Sequence, residues 1–216
     1  MKVYNFAETP SLISRYLIEM RDVDIHSDML RFRHNLERTG ALMGYEISKH
    51  IEYKKVEVTT PLGVATCDTP AEPIVLGTIF RAGVPFHAGF LNVFDTAENA
   101  FVSAYRKYKE KESFDVFIEY LAAPRLEDKT LILVDPMLAT GASMELSYRA
   151  LLTKGTPAHL HLASVIASRA AIDYLQGVMP ADSTLWVGAI DEHINSHSYI
   201  VPGLGDAGDL AYGIKE

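Results

Sequence analysis

The chain has 216 residues, 48% hydrophobic and 22% charged, which supports a substantial core and lacks the low-hydropathy signature of a disordered chain. A formal net charge of −8 excludes nucleic-acid binding through a general basic surface, because that affinity is built from many Lys and Arg contacts to phosphate. No run approaches the ~18 apolar residues of a membrane span, and the opening MKVYNFAETP lacks the apolar region of a secretory signal.

Over 10–20, the residues Leu12, Ile13, Tyr16, Leu17 and Met20 recur at helical spacing, and a longer helical pattern covers 27–51. The period then changes: Val56 and Val58, a turn PLG at 61–63, and Val64 and Thr66 read as a β-hairpin arm. Cys67, the single cysteine, has no internal disulfide partner; it fits a reducing cytoplasm and reads as buried filler rather than a reactive thiol. Five apolar runs follow, of the kind expected for strands covered on both faces: IVLGTIF at 74–80, AFVSAY at 100–105, LILV at 131–134, LHLASVIA at 160–167 and LWVGAI at 185–190. Helical patterns at 142–152 and 170–176 alternate with them. The expectation is an α/β fold, one domain over 1–216, with a mainly parallel central sheet flanked by helices. Ligands of such folds sit in the crevice outside the carboxyl ends of the strands.

The segment LILVDPMLATGASM at 131–144 carries the clearest chemistry. Its small residues ATGAS at 139–143 lie between a strand end and a helical pattern that resumes with Met144, Leu146 and Tyr148. Such a loop gathers backbone N–H groups in one concavity at the positive end of a helix dipole, and Thr140 and Ser143 add hydroxyl donors. It reads as a cradle for a monophosphate, without the Lys and spacing of a Walker A loop. Asp135, at the strand end, can accept hydrogen bonds from sugar hydroxyls or help hold a hydrated Mg²⁺. The competing reading is a plain Asp-Pro turn followed by an ordinary helix cap.

Near the C-terminus, PGLGDAGD at 202–209 contains Gly203, Gly205 and Gly208 in the G-x-G-x-x-G spacing. Eight residues follow Gly208, too few for the helix, second strand and acid of a dinucleotide-binding unit, so another reason for the glycines is expected. Glycine has no Cβ and tolerates positive φ, which lets a backbone fold closely around a planar ligand.

These segments together resemble the uracil phosphoribosyltransferase family. VDPMLATGAS at 134–143 is similar to its phosphoribosyl-diphosphate loop, including an apolar residue, Val134, ahead of the acid. Arg81-Ala82-Gly83 after IVLGTIF resembles the family's Arg-Ala-Gly, and Tyr105-Arg106 closing AFVSAY resembles its Tyr-Arg pair. SYIVPGLGDAGD resembles its uracil-binding tail, in register over 199–209. Arg106 also opens the mixed-sign run RKYKEKE at 106–112, which otherwise reads as solvated surface. Two segments depart from the family: VPFHAG at 84–89, which leaves the path of a loop over 84–88 open, and SRAA at 168–171 where Ala-Pro-Glu-Gly is usual. Ser168 and Arg169 are therefore open as to their effect on diphosphate or effector handling.

The resemblance implies a type I phosphoribosyltransferase-like fold with a hood formed from terminal segments. It implies transfer of phosphoribosyl from 5-phosphoribosyl 1-diphosphate to uracil, giving UMP and diphosphate. Asp206, Arg106 and Asp135 are the implied catalytic groups. Arg81, Arg106 and Asp206, with Asp135, Pro136, Met137, Leu138, Ala139, Thr140, Gly141, Ala142 and Ser143, are the implied sugar-diphosphate site. Ile200, Gly205, Asp206 and Ala207 are implied around uracil. Two arginines suit a diphosphate whose negative charge grows as it leaves. Mg²⁺ is the implied cofactor, held mainly by substrate and water rather than by direct side-chain ligation. His159 and His161 read as structural or surface residues. No nucleic-acid or membrane partner is expected, and the N-terminal helices and hairpin arm offer surface for a homodimer or larger homo-oligomer. GTP activates some members of the family, so a GTP effector is a further expectation. The alternatives are a uracil- or UMP-sensing regulator of the same fold that binds RNA, a binding subunit without catalysis, and an enzyme for another nucleobase.

Overall fold

The computed structural model describes residues 1–108 and 114–215, and over 104–108 and 114–117 the backbone alone. A short strand, β1 (Lys2–Asn5), precedes two helices, α1 (Leu12–Arg21) and α2 (Met29–Ser48). Ser11 caps α1 by accepting the Ile13 N–H, and Ile13, Leu17 and Met20 fall on its buried face. Asp28 caps α2 by accepting the Arg31 N–H. The expected hairpin arm follows as β2 (Tyr53–Thr60) and β3 (Gly63–Pro70), paired antiparallel with Thr60 opposite Gly63. Cys67 lies exposed on this arm rather than buried. A ribbon of two strands has no layer over it, so the mixed apolar and polar pattern of β3 does not mean a core face.

The rest of the chain alternates strand and helix. β4 (Ile74–Phe80), α3 (Gly83–Leu91), β5 (Glu98–Tyr108), β6 (Phe114–Ala122) and β7 (Thr130–Val134) lead to a two-residue strand, β8 (Met137–Leu138), and α4 (Ala142–Leu151). Then come β9 (His159–Ser168), α5 (Arg169–Val178), β10 (Thr184–Asp191), the small strands β11 (His193–Ile194) and β12 (Ile200–Val201), and α6 (Ala207–Tyr212). The central sheet has the order β1-β10-β9-β7-β4-β5-β6, with β8 beside β9. Every pairing in it is parallel except that of β5 with β6. Alternate strand residues separate two cores. Leu76, Ile132, Val134, Val165 and Trp186 pack with α1, α2 and α3 on one face, and Val75, Leu131, Leu133, Leu162 and Leu185 pack with α4 and α5 on the other. Burial on both faces explains why these strands read as unbroken apolar runs.

Two elements differ from the expectation. VPFHAG folds as part of α3 instead of a loop; GVPFHAGFL is apolar nearly all round, so no amphipathic period marks it. It packs backbone to backbone on α2, where a Cβ at Gly89 would lie 2.0 Å from the Glu37 carbonyl oxygen. Tyr105-Arg106 sits inside β5 rather than at its end, because pairing with β6 carries the strand on to Tyr108, with Arg106 opposite Val116. A charged ribbon supported by antiparallel backbone bonds gives no apolar signal at its boundary. The side chain of Arg106 lies outside the described residues.

The terminal segments form the expected hood by meeting each other. Arg33 of α2 donates to the Ala211 carbonyl at 2.7 Å, and Arg21 at the end of α1 donates to the Gly203 carbonyl at 2.9 Å. Among the described residues no helix is long and apolar enough to cross a membrane.

Candidate active site

β4 and β7 run parallel and end side by side, so Arg81 and Asp135 emerge at the same edge of the sheet. There they border a crevice of about 510 Å³ that also takes in Ser103 of β5, Met137, Ala139 and Ser143 of the loop after β7, and the C-terminal tail. From the tail come Ser198, Tyr199, Gly205, Asp206, Ala207, Gly208, Asp209 and Lys215. Segments drawn from between positions 79 and 215 are thus gathered around one volume.

The loop after β7 has the form expected of a phosphate cradle. Gly141, at φ +82, stands before the first turn of α4, and Thr140 Oγ1 accepts the Ala142 N–H at 3.4 Å. A Cβ on Gly141 would lie 3.0 Å from Tyr174 Cδ1 and 3.1 Å from Leu175 Cγ, so the loop runs tight against α5, and the positive φ strains any other residue there. Leu138, Thr140 and Gly141 line a narrow adjoining cleft of about 10 Å³ with Asp135 and Ser143, whereas Pro136 and Ala142 border neither space. Asp135 Oδ1 accepts the Met137 N–H at 3.3 Å, which orients the acid at the strand end.

Ser168 has a definite job in this arrangement. Its hydroxyl, buried, accepts the Ala171 N–H at 2.9 Å as the cap of α5 and donates to the Ala139 carbonyl at 2.6 Å. Ser168 therefore ties the loop after β7 to the start of α5. Tyr174 adds a second tie by donating to Glu145 in the first turn of α4. That hydrogen bond holds the Glu145 carboxyl below its usual range and raises the Tyr174 hydroxyl above its own. Arg169 is exposed and reaches Glu192 at 3.4 Å.

Arg81 does not stand free in the crevice. Its Nη2 pairs with Asp209 Oδ1 at 2.5 Å, and its Nη1 donates to the Gly213 carbonyl at 3.1 Å. The guanidinium has five N–H groups in a planar fork, so it can hold the tail and still present donors to an anion. Asp206 caps α6 by accepting the Asp209 N–H at 3.0 Å, and its side chain borders the crevice. Ile200 is 4% exposed, packs in the core and does not border the crevice, so the structure does not bring this expected residue to the site. Ala207 is buried in the same core yet borders the crevice, and Gly205, at φ +96, borders it from an exposed turn.

Asp135 and Asp206 supply oxygen donors to the same crevice, which suits a hydrated Mg²⁺ carried on a diphosphate. Among the described residues no group of three or more His, Cys, Asp or Glu could hold a metal by itself. Beside Ile79, Phe80, Ala82, Ser198, Tyr199, Gly208 and Asp209, the crevice residues that the sequence reading did not assign include Ser103 and Lys215. Nothing local marks either: Ser103 is an ordinary strand serine, and Lys215 reaches the crevice only because the tail folds back. His161 is buried and accepts the Trp186 Nε1–H at 3.2 Å, a structural role as expected, while His159 is exposed at the start of β9.

The family model described as uracil phosphoribosyltransferase matches residues 8–214. A uracil phosphoribosyltransferase from Porphyromonas gingivalis is 61% identical over 215 residues, covering 100% of both chains. One from Methanothermobacter thermautotrophicus is 39% identical over 188 residues, covering 86% of this chain and 85% of that one. A solved structure of an Aquifex aeolicus protein superimposes with a TM-score of 0.87 at 29% identity, covering 98% of each chain. With every residue bordering the crevice except Lys215 inside the span of the family model, the chain belongs to the uracil phosphoribosyltransferase family.

Proposed function

We propose that this protein transfers phosphoribosyl from 5-phosphoribosyl 1-diphosphate to uracil. N1 of uracil bonds to C1′, the bond from C1′ to the diphosphate oxygen breaks, and the N1 proton is released, giving UMP and diphosphate. The observation that carries the reading is the single crevice bordered by the loop after β7, Arg81 and the Gly-rich tail. That grouping supplies a phosphate cradle, a cation for the leaving group and a close-fitting backbone for a planar base.

The chain's contribution is positioning and electrostatics rather than covalent chemistry. In this reading the N–H and hydroxyl groups of residues 140–143 hold the 5′-phosphate, and Asp135 orients the ribose hydroxyls. Arg81 and Arg106 take up charge on the departing diphosphate. Backbone groups around Gly205 and Ala207 fix the base, and the Asp206 carboxylate faces the sugar as positive charge develops on it. Mg²⁺, when bound on the diphosphate with Asp135 and Asp206 nearby, neutralises charge on the leaving group. The exposed hairpin arm, with Leu62 99% accessible, is proposed as surface for a homodimer or larger homo-oligomer. GTP is proposed as an activating effector.

Incubation with the sugar diphosphate, Mg²⁺ and each nucleobase in turn tests the reading. UMP with uracil, and loss of that product when EDTA removes Mg²⁺, is the expected result. Absence of nucleotide with uracil overturns the proposal, and product with a different base redirects it. Retention of RNA at physiological salt in place of turnover would favour the regulator.

A further inference from the structure

After β10 ends, the chain leaves the sheet, forms the β11–β12 ribbon and returns twelve positions later at Gly203. Asp191 closes that excursion: its Oδ2 accepts the Gly203 N–H at 3.0 Å. Arg21, the last residue of α1, donates to the Gly203 carbonyl at 2.9 Å. The same guanidinium forks onto Asp191, Nη1 to Oδ2 at 2.8 Å and Nη2 to Oδ1 at 2.9 Å. One bidentate pair thus holds both backbone polar groups of a single glycine, with side chains only 24% and 9% exposed.

Gly203 is where the chain doubles back. Its φ is +61, and a Cβ there would lie 2.1 Å from the Ile200 carbonyl oxygen. Gly205, Asp206 and Ala207 follow at once and border the crevice, whereas neither Arg21 nor Asp191 does. The helix that carries Arg21 is tied to α2, because Glu19 accepts from Asn35 at 2.9 Å. The loop after β7 has separate supports, on Ser168 and Tyr174.

We propose that Arg21 and Asp191 are positioning residues for the base: through Gly203 they set the angle at which the tail presents its backbone to uracil. The inference rests on the uracil-transfer reading for its ligand. A base read by backbone N–H and C=O groups is held only as well as that backbone is oriented. Loosening Gly203 should therefore weaken uracil and leave the sugar diphosphate largely untouched.

Two variants test this. Arg21→Leu combined with Asp191→Leu removes both charges together, so no buried ion is left alone. Arg21→Lys keeps the charge and loses the fork. The expected result for the double variant is a KM for uracil raised roughly tenfold or more, with the KM for the sugar diphosphate within about twofold of the unmodified protein. Arg21→Lys should shift uracil KM in the same direction by less. Amide hydrogen exchange at Gly203 should quicken in both. An unchanged uracil KM, or a common loss in both KM values, kcat and thermal stability, overturns the inference; Arg21→Lys carries the test where the double variant does not fold. The unmodified protein in the same assay separates the two claims. If it makes no UMP, the uracil-transfer reading fails, and unchanged exchange at Gly203 in the variants then sinks the clamp on its own.

Discussion

Asp206 Oδ1 accepts the Asp209 N–H at the start of α6, and the same side chain borders the crevice. A substitution therefore moves two quantities that have to be separated. Asp206→Ala removes the cap and the charge, whereas Asp206→Asn keeps an oxygen for the cap and removes only the charge. We expect both to lower kcat by about 100-fold or more, and only the alanine variant to lose about 1 kcal/mol of stability. Steady-state kinetics and thermal melts on the pair check this, and near-normal turnover in Asp206→Asn would remove Asp206 from the chemistry. Arg81 shows a related overlap, since its pairing with Asp209 was not legible in the sequence. The two residues are 128 positions apart, and only the folded tail brings them together.

At the scale of elements, the loop after β7 depends on its neighbour α5. The Ser168 hydroxyl caps α5 and donates to the Ala139 carbonyl. Ser168→Ala should cost about 1 kcal/mol through the lost cap and raise the KM for the sugar diphosphate while uracil KM stays near its starting value. Kinetics with each substrate varied in turn would show this, and equal KM values in variant and unmodified protein would reject the loop-bracing role. The helix α3 illustrates the limit of periodicity. It is buried between α2 and the sheet, so its sequence carries no polar face from which a period could be read. By contrast α1 and α2, each with one face in solvent, were legible within a few residues.

At the scale of the whole molecule, buried histidine contributes a pH dependence to stability. Burial pushes His161 down to about 4 from an ordinary value of 6.5, against a weaker upward pull from Glu72, and burial lowers His87 in the same direction. The native state excludes a proton that the unfolded chain accepts below about pH 6.5. Stability from His161 is therefore fully present above pH 6.5 and is lost as pH falls from there toward about 4, by up to about 3 kcal/mol. His161→Leu should lower Tm at pH 8, where Trp186 has lost its acceptor, yet flatten the fall of Tm between pH 6.5 and 4. A slope equal to that of the unmodified protein would exclude His161 as its source.

The sequence by itself determined the α/β class, the five central strands, the hairpin arm, and the segments from which the crevice is built. Those features are local. A strand covered on both faces has to be continuously apolar, and a loop that admits a phosphate or a flat base has to be made of small residues. Only the tertiary structure decided which side chains meet: Arg81 with Asp209, Ser168 with Ala139, Arg21 and Asp191 with Gly203. Such pairs join helix ends, strand ends and the tail across 29 to 182 positions in most cases. Nothing in residue spacing encodes them, because they exist only once the sheet has brought its strand ends to one edge and the termini have folded over it.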